Sequence, residues 1–221
     1  NFESDYQILI NEMELRMNKL EENREIITDG VMNVDDYFLN DIRLAWMLKE
    51  PYDEEDGTGG GWSYFEMFKG ENLYLEQFNR AHKVTWHPII YVSYGIMNNF
   101  AKWSELDYIR DNHKMCDVVR NVAFINSQKL PSKNVTRTDF NDLFESITQN
   151  SDLLNRQVNL LNPNVLIFGN TFNLYTNILN INVSDLIEYE NGIKYIVKDE
   201  KLYISTYHPA QTQITRNLYV D

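Results

Sequence analysis

Cysteine is almost missing from this chain of 221 residues: Cys116 stands alone. One thiol excludes an internal disulfide framework, a cysteine-ligated iron–sulfur cluster and a four-cysteine zinc site. Histidine is sparse too. The four, at 82, 87, 113 and 208, show neither the HxH nor the HxxxH spacing of a metal-binding face. No apolar run approaches the ~18 residues that a membrane helix needs. There is no GxSxG elbow of a serine hydrolase. The glycines at 57, 59, 60 and 61 lack the Lys-Ser/Thr that follows a phosphate loop, and they lack a helix start at the spacing of a dinucleotide fingerprint. Internal repeats and low-complexity tracts are absent. Residues 1–27 are rich in Glu and Asn rather than basic and then apolar, unlike a secretory signal, so a cytoplasmic protein is the expectation.

What is present suits one globular domain, with or without a small appendage. Hydrophobic residues make up 43% and charged residues 24%, enough for a sizeable core. The net charge of −13 opposes a polyanionic partner at first sight. Its distribution is uneven: residues 1–56 hold 16 acidic and 5 basic side chains, so the other 165 residues sum to only −2. Residues 102–137 hold seven basic side chains against four acidic ones, without a dense basic stripe.

Tyr6, Ile10, Met13, Met17 and Leu20 recur at spacings of four and three, which predicts an amphipathic first helix. Asp29-Gly30 ends that pattern. Arg43–Leu48 reads as a buried strand, and Glu50–Gly61 as a long acidic, glycine-rich loop of the kind that is functional or disordered in compact domains. Residues 62–83 are partly helical. Ile89–Ile96 is apolar enough for a strand or a buried helix, and periodicity leaves both open. Asn121–Asn126 and Val165–Phe168 read as further buried strands, with a helix over Ser151–Leu161 stopped by Pro163. Asn191-Gly192 lies within an alternating stretch, 186–197, that predicts a hairpin. Leu202–Thr206 is a last strand. Strands alternating with helices predict an α/β fold around a central, mostly parallel sheet.

Ligands of such sheets bind beyond the carboxyl ends of the strands. Three predicted strands end in polar or unusual residues: Lys49-Glu50-Pro51-Tyr52, Asn126-Ser127-Gln128-Lys129 and Tyr207-His208-Pro209. If the strands are parallel neighbours, a carboxylate, a carboxamide and an imidazole converge. The order of these pieces resembles the uracil-DNA glycosylase superfamily. There, a first strand ends in Gly-Gln-Asp-Pro-Tyr or a relative, a middle strand supplies a base-reading Asn, and a last strand ends in His-Pro-Ser. Leu48-Lys49-Glu50-Pro51-Tyr52, Phe124-Ile125-Asn126 and His208-Pro209-Ala210 look like the three motifs. Asn162-Pro163 with Val165–Gly169 is similar to the family's element before the last. The likeness spans roughly residues 42–215. Glu50 stands where many relatives carry Asp or Asn, and Ala210 where Ser is usual. The chain looks most like a divergent branch that includes phage-defence glycosylases excising bulky modified pyrimidines such as glucosylated hydroxymethylcytosine.

The resemblance implies a three-layer α/β/α sandwich with a four-stranded sheet over residues 41–221, and residues 1–40 as a helical extension packed on it. It implies a monofunctional DNA glycosylase, monomeric, without cofactor, metal or iron–sulfur cluster, acting on modified or phage DNA. The target nucleotide is turned out of the stack. Glu50 stabilises the sugar cation and orients or deprotonates water at C1′. His208 hydrogen-bonds O2 of the departing pyrimidine. Asn126 reads the base edge, and Tyr52, Trp62 and Phe65 stack on it. Lys129, Lys133, Gln211 and Arg216 hold phosphates. The acidic run at 53–56 is most simply a solvated loop, and His87-Pro88 is structural. Competing readings are a plain uracil-DNA glycosylase, a non-catalytic nucleic-acid or nucleotide-binding module on the same fold, a nucleotide- or sugar-processing enzyme on an unrelated scaffold, and an interaction protein using the N-terminal helix.

Overall fold

The computed structural model describes all residues except Glu55, Ala81 and 134–137. Arg137 of the basic segment and Glu55 of the acidic run therefore lie outside the described residues. In chain order the helices are α1 (Phe2–Met17), α2 (Val34–Leu39), α3 (Tyr64–Met67), α4 (Lys83–Met97), α5 (Phe140–Gln149), α6 (Ser151–Leu161), α7 (Phe172–Leu179) and α8 (Arg216–Val220). The strands are β1 (Leu44–Leu48), β2 (Ala123–Asn126), β3 (Val165–Gly169), β4 (Ile187–Glu188), β5 (Lys194–Lys198) and β6 (Lys201–Thr206).

The strands form one mixed sheet in the order β2-β1-β3-β6-β5-β4. Its β2, β1, β3 and β6 are mutually parallel, while β5 and β4 add on antiparallel. The sheet thus has six strands where four are expected. The reason is the turn at Asp199-Glu200, whose φ angles of 50° and 60° supply the left-handed pair of a two-residue hairpin. It folds β5 back along β6. Asn191-Gly192 also carries positive φ, in the short turn between β4 and β5.

β1 is a continuous apolar run, and β2 is one up to its terminal Asn126, because both faces of the sheet are covered. Ala45, Met47, Ala123, Ile125, Leu166 and Phe168 face a core built with α1, α5, α6 and α7. Trp46, Leu48, Phe124 and Ile167 face a second core that includes α4 and the 3₁₀ segment His113–Asn121. Trp46 anchors that layer by donating to Ser93 Oγ at 3.0 Å. The stretch at 89–96 is helix, not strand; it lies within α4, where Pro88 is also accommodated.

Tyr6, Leu9, Ile10, Met13 and Met17 form the buried face of α1. Leu20 does not share it, because the helix ends at Met17 and the chain turns extended at Asn18, leaving Leu20 82% exposed. Beyond α1, residues 24–30 thread through the molecule. Arg24 and Thr28 bridge to Gly59 and Ser63, and Gly30 bridges to Phe124 in β2. Among the described residues, no helix is long and apolar enough to cross a membrane.

Candidate functional site

The carboxyl ends of the parallel strands share one edge. Leu48 is level with Asn126 across β1 and β2. The ladder continues past the strands: Ser127 donates from its main chain to Leu48 O, Gln128 to Lys49 O and Ser132 to Pro51 O, at 2.8 to 3.0 Å. These bonds fix the backbone on both sides of Glu50. β3 lies between β1 and β6 and separates Glu50 from His208. It ends in Gly169, where a Cβ would lie 3.1 Å from Pro209 Cδ and 3.5 Å from Leu48 Cδ2. The missing side chain lets the residues after β1 and β6 close over the end of β3.

A cavity of about 530 Å³ opens at this edge. Its lining includes Glu50, Tyr52, Trp62, Asn126 and His208, five residues singled out in the sequence, together with Lys49 and Tyr64. Both carboxylate oxygens of Glu50 are buried, and among the described residues no donor reaches them in hydrogen-bonding geometry. Burial pushes the carboxyl above its ordinary range; the nearby Thr138 hydroxyl and Lys49 ammonium offset part of the shift.

His208 is held near pKa 4, chiefly by burial and then by the Lys49 charge. Its Nδ1 accepts the main-chain N–H of Ala210 at 3.1 Å. A neutral ring with Nδ1 accepting carries its proton on Nε2, so His208 is a neutral donor. Asn126 is 1% exposed. Its main-chain N–H donates to Asp29 Oδ2 at 2.6 Å and its Nδ2 to the Tyr64 hydroxyl at 3.1 Å. These bonds fix the carboxamide and leave Oδ1 without a donor among the described residues.

Trp62 stacks on Tyr64, with ring centres 5.9 Å apart and planes 27° from parallel. Its indole N–H donates to Asp53 Oδ2, which also accepts from the Gly60 main chain at 2.7 Å. Asp53 is therefore a structural clamp rather than part of a merely solvated run, and Asp56 likewise binds Thr58. At Gly60, φ is +94° and a Cβ would lie 1.9 Å from Glu25 O. Only glycine lets this loop pack so closely on the 24–26 segment.

Other expected contacts fall elsewhere. Phe65 does not line the cavity; it packs toward the opposite core, and its neighbour Tyr64 takes the wall position. Lys129 is no phosphate contact: it is 2% exposed, and its ammonium lies 2.8 Å from both Asp29 oxygens and from Gln157 Oε1. Gln211 is turned into its own loop, accepting from the Gln213 and Ile214 main chains and donating to Ile214 O. Lys133 is exposed and paired with Glu22 at 3.2 Å. Lys129 and Lys133 border a second cavity, of about 550 Å³, which Glu50 also borders. Arg216 starts α8, with its guanidinium 5.9 Å from the Tyr91 ring centre. His87 is structural, its Nε2 2.8 Å from Phe78 O inside the fold.

Lys49, Tyr64, Gly169 and Asp29 are the site residues that sequence reasoning missed. Lys49 and Tyr64 adjoin residues that it singled out, and Gly169 appears there only as the end of a strand element, with no part in the site. Asp29 carried no signal beyond a turn. Among the described residues, no group of three His, Cys, Asp or Glu side chains is placed to hold a metal ion. No protein-family model matches the chain, and no curated protein matches its sequence.

Proposed function

We propose that this protein is a DNA glycosylase that hydrolyses the N-glycosidic bond of a flipped-out, modified pyrimidine and leaves an abasic site. The observation that carries this reading is the shared cavity of Glu50, Asn126 and His208 at the carboxyl ends of β1, β2 and β6. Cleaving the bond develops positive charge on the deoxyribose and negative charge on the departing base. The buried carboxylate of Glu50, without a hydrogen-bond donor among the described residues, suits a sugar cation and the water that attacks C1′. The Nε2–H of neutral His208 suits the oxygen on which the leaving base gathers charge. Asn126 Oδ1, held by Tyr64 and Asp29 behind it, suits a donor on the pyrimidine edge. Tyr52 and Trp62 supply aromatic faces for the base.

The cavity volume of about 530 Å³ lies inside the ~300–1,000 Å³ of small-molecule sites, which leaves room for a base that carries an added group. Glucosylated hydroxymethylcytosine of phage DNA is the substrate that fits the divergent Leu48–Pro51 motif. The α/β sandwich with parallel β2-β1-β3-β6 is compatible with a uracil-DNA-glycosylase-like fold extended by a hairpin.

The experiment is incubation with DNAs carrying uracil, hydroxymethylcytosine or glucosylated hydroxymethylcytosine, scored by alkali-labile breaks and by free base. Glu50→Gln and His208→Ala should each abolish release with the fold intact. Full activity in both variants overturns the site, and no release from any substrate overturns the reaction.

One observation favours a second reading. Glu50, Asp53 and Glu66 also line the cavity, an acidic surrounding for a polyanion. An enzyme acting on a free nucleoside avoids that repulsion. Release of base from the nucleoside but not from DNA selects it.

A further inference from the structure

We infer that the Lys49 ammonium is the phosphate contact of this site, gripping the backbone beside the nucleotide whose base enters the cavity. The inference rests on the reading proposed above and adds the group that makes an acidic cavity acceptable to DNA.

Lys49 is the only Lys or Arg in the lining of that cavity among the described residues. It directly precedes Glu50, and its backbone is fixed by the Gln128 N–H at 3.0 Å. The half-buried ammonium sits 4.7 Å from the centre of the Phe140 ring. Resting on a ring face holds a flexible lysine in place without neutralising it. No described carboxylate comes within ion-pair distance of it. Lys133, by contrast, is paired with Glu22, and Lys129 with Asp29.

Burial lowers the Lys49 pKa, and Glu50 pulls it back up; the same ammonium is felt at His208. Lys49 therefore lies close to both residues proposed to act on the glycosidic bond. In a nucleotide, one sugar ring separates C1′ from the flanking phosphates. With the Glu50 carboxylate at C1′, the Lys49 ammonium on the same cavity wall is the positive charge available to a flanking phosphate. The alternative cations are not: Lys129 is enclosed, and Arg216 lies over Tyr91 outside the lining.

The test is fluorescence anisotropy with a duplex carrying a tetrahydrofuran abasic-site analogue, titrated at several salt concentrations between 50 and 200 mM. Wild type, Lys49→Met and Lys49→Arg are compared, with thermal melts to confirm folding. Loss of one phosphate contact should reduce the slope of log K against log salt by about 0.7–0.9 in Lys49→Met, with several-fold weaker binding at 50 mM salt and recovery of the slope in Lys49→Arg. An unchanged slope in Lys49→Met, with wild type binding well, overturns this inference alone. No binding by wild type overturns the glycosylase reading and this inference with it. A borohydride-trapped adduct between wild type and abasic DNA that is lost in Lys49→Arg makes Lys49 an amine nucleophile, and it also overturns the assignment.

Discussion

Asp29 and Lys129 form an enclosed ion pair, 2.8 Å apart and each no more than 1% exposed at the side chain. The same Asp29 carboxylate accepts the main-chain N–H of Asn126 and the amide of Gln157. The Tyr6 hydroxyl adds a bond to the Asp29 carbonyl. An element near the amino terminus thus reaches through the molecule to the end of β2. The lysine that resembled a DNA contact instead pairs with the carboxylate that holds Asn126 from behind.

Lys129→Met leaves the Asp29 charge enclosed without its counter-ion. Breaking one side of a buried pair typically costs about 3–5 kcal/mol. Urea unfolding should show a loss of that order, and Asp29→Asn combined with Lys129→Met should recover part of it. A loss below ~1 kcal/mol in the single variant refutes the role given to the pair.

Glu50→Gln should stabilise the protein while removing activity. The carboxyl is raised above its ordinary range by burial, so its contribution to stability is full at acid pH and lost as pH rises through the raised value. At neutral pH a buried charge that burial disfavours is enclosed, and removing it should add on the order of 1 kcal/mol. That corresponds to roughly 2–4 °C in Tm for a chain of this size. The gain should vanish near pH 4. An equal gain at both pH values contradicts the electrostatic cause.

His208 has the opposite sign of pH dependence. Its folded pKa, about 4, lies below the ordinary histidine value. Between roughly pH 6.5 and 4 the unfolded chain takes up a proton that the folded one refuses, so stability falls as pH falls through that window. The loss attributable to this residue is on the order of 3 kcal/mol. His208→Gln should flatten the slope in urea titrations across the window. NMR titration of the imidazole finding a midpoint above 6 would falsify the neutral-donor assignment.

Gly169→Ala probes the closure over β3. The added Cβ meets Pro209 at 3.1 Å, so the 208–210 segment must shift by a few tenths of an ångström. We expect a stability change within about 1 kcal/mol and a far larger fall in base release, about tenfold or more, because positioning errors act on the transition state. Unchanged kcat and KM would show that the spacing of His208 from Glu50 does not depend on this glycine.

Much of the fold was legible because its strands are short apolar runs with turn residues after them. Arg43–Leu48, Asn121–Asn126, Val165–Phe168 and Leu202–Thr206 each overlap an observed strand, with ends agreeing to within two residues. The stretch at 89–96 stayed ambiguous, since a helix buried on most sides loses its polar stripe. At 64–65 a four-residue helix offers no periodicity, so nothing local distinguishes Tyr64, in the cavity wall, from Phe65, in the other core.

The chain's local chemistry was enough to place Glu50, Asn126 and His208 after strands, because backbone propensity and uninterrupted burial act over a few residues. Only the tertiary structure decided that Lys129 turns inward to Asp29, that Gly169 lets the two sides of the cleft meet, and that Lys49 has no carboxylate partner among the described residues. Those outcomes depend on which distant groups share a low-dielectric space, and charge pairing over a hundred residues of sequence leaves no trace in local pattern.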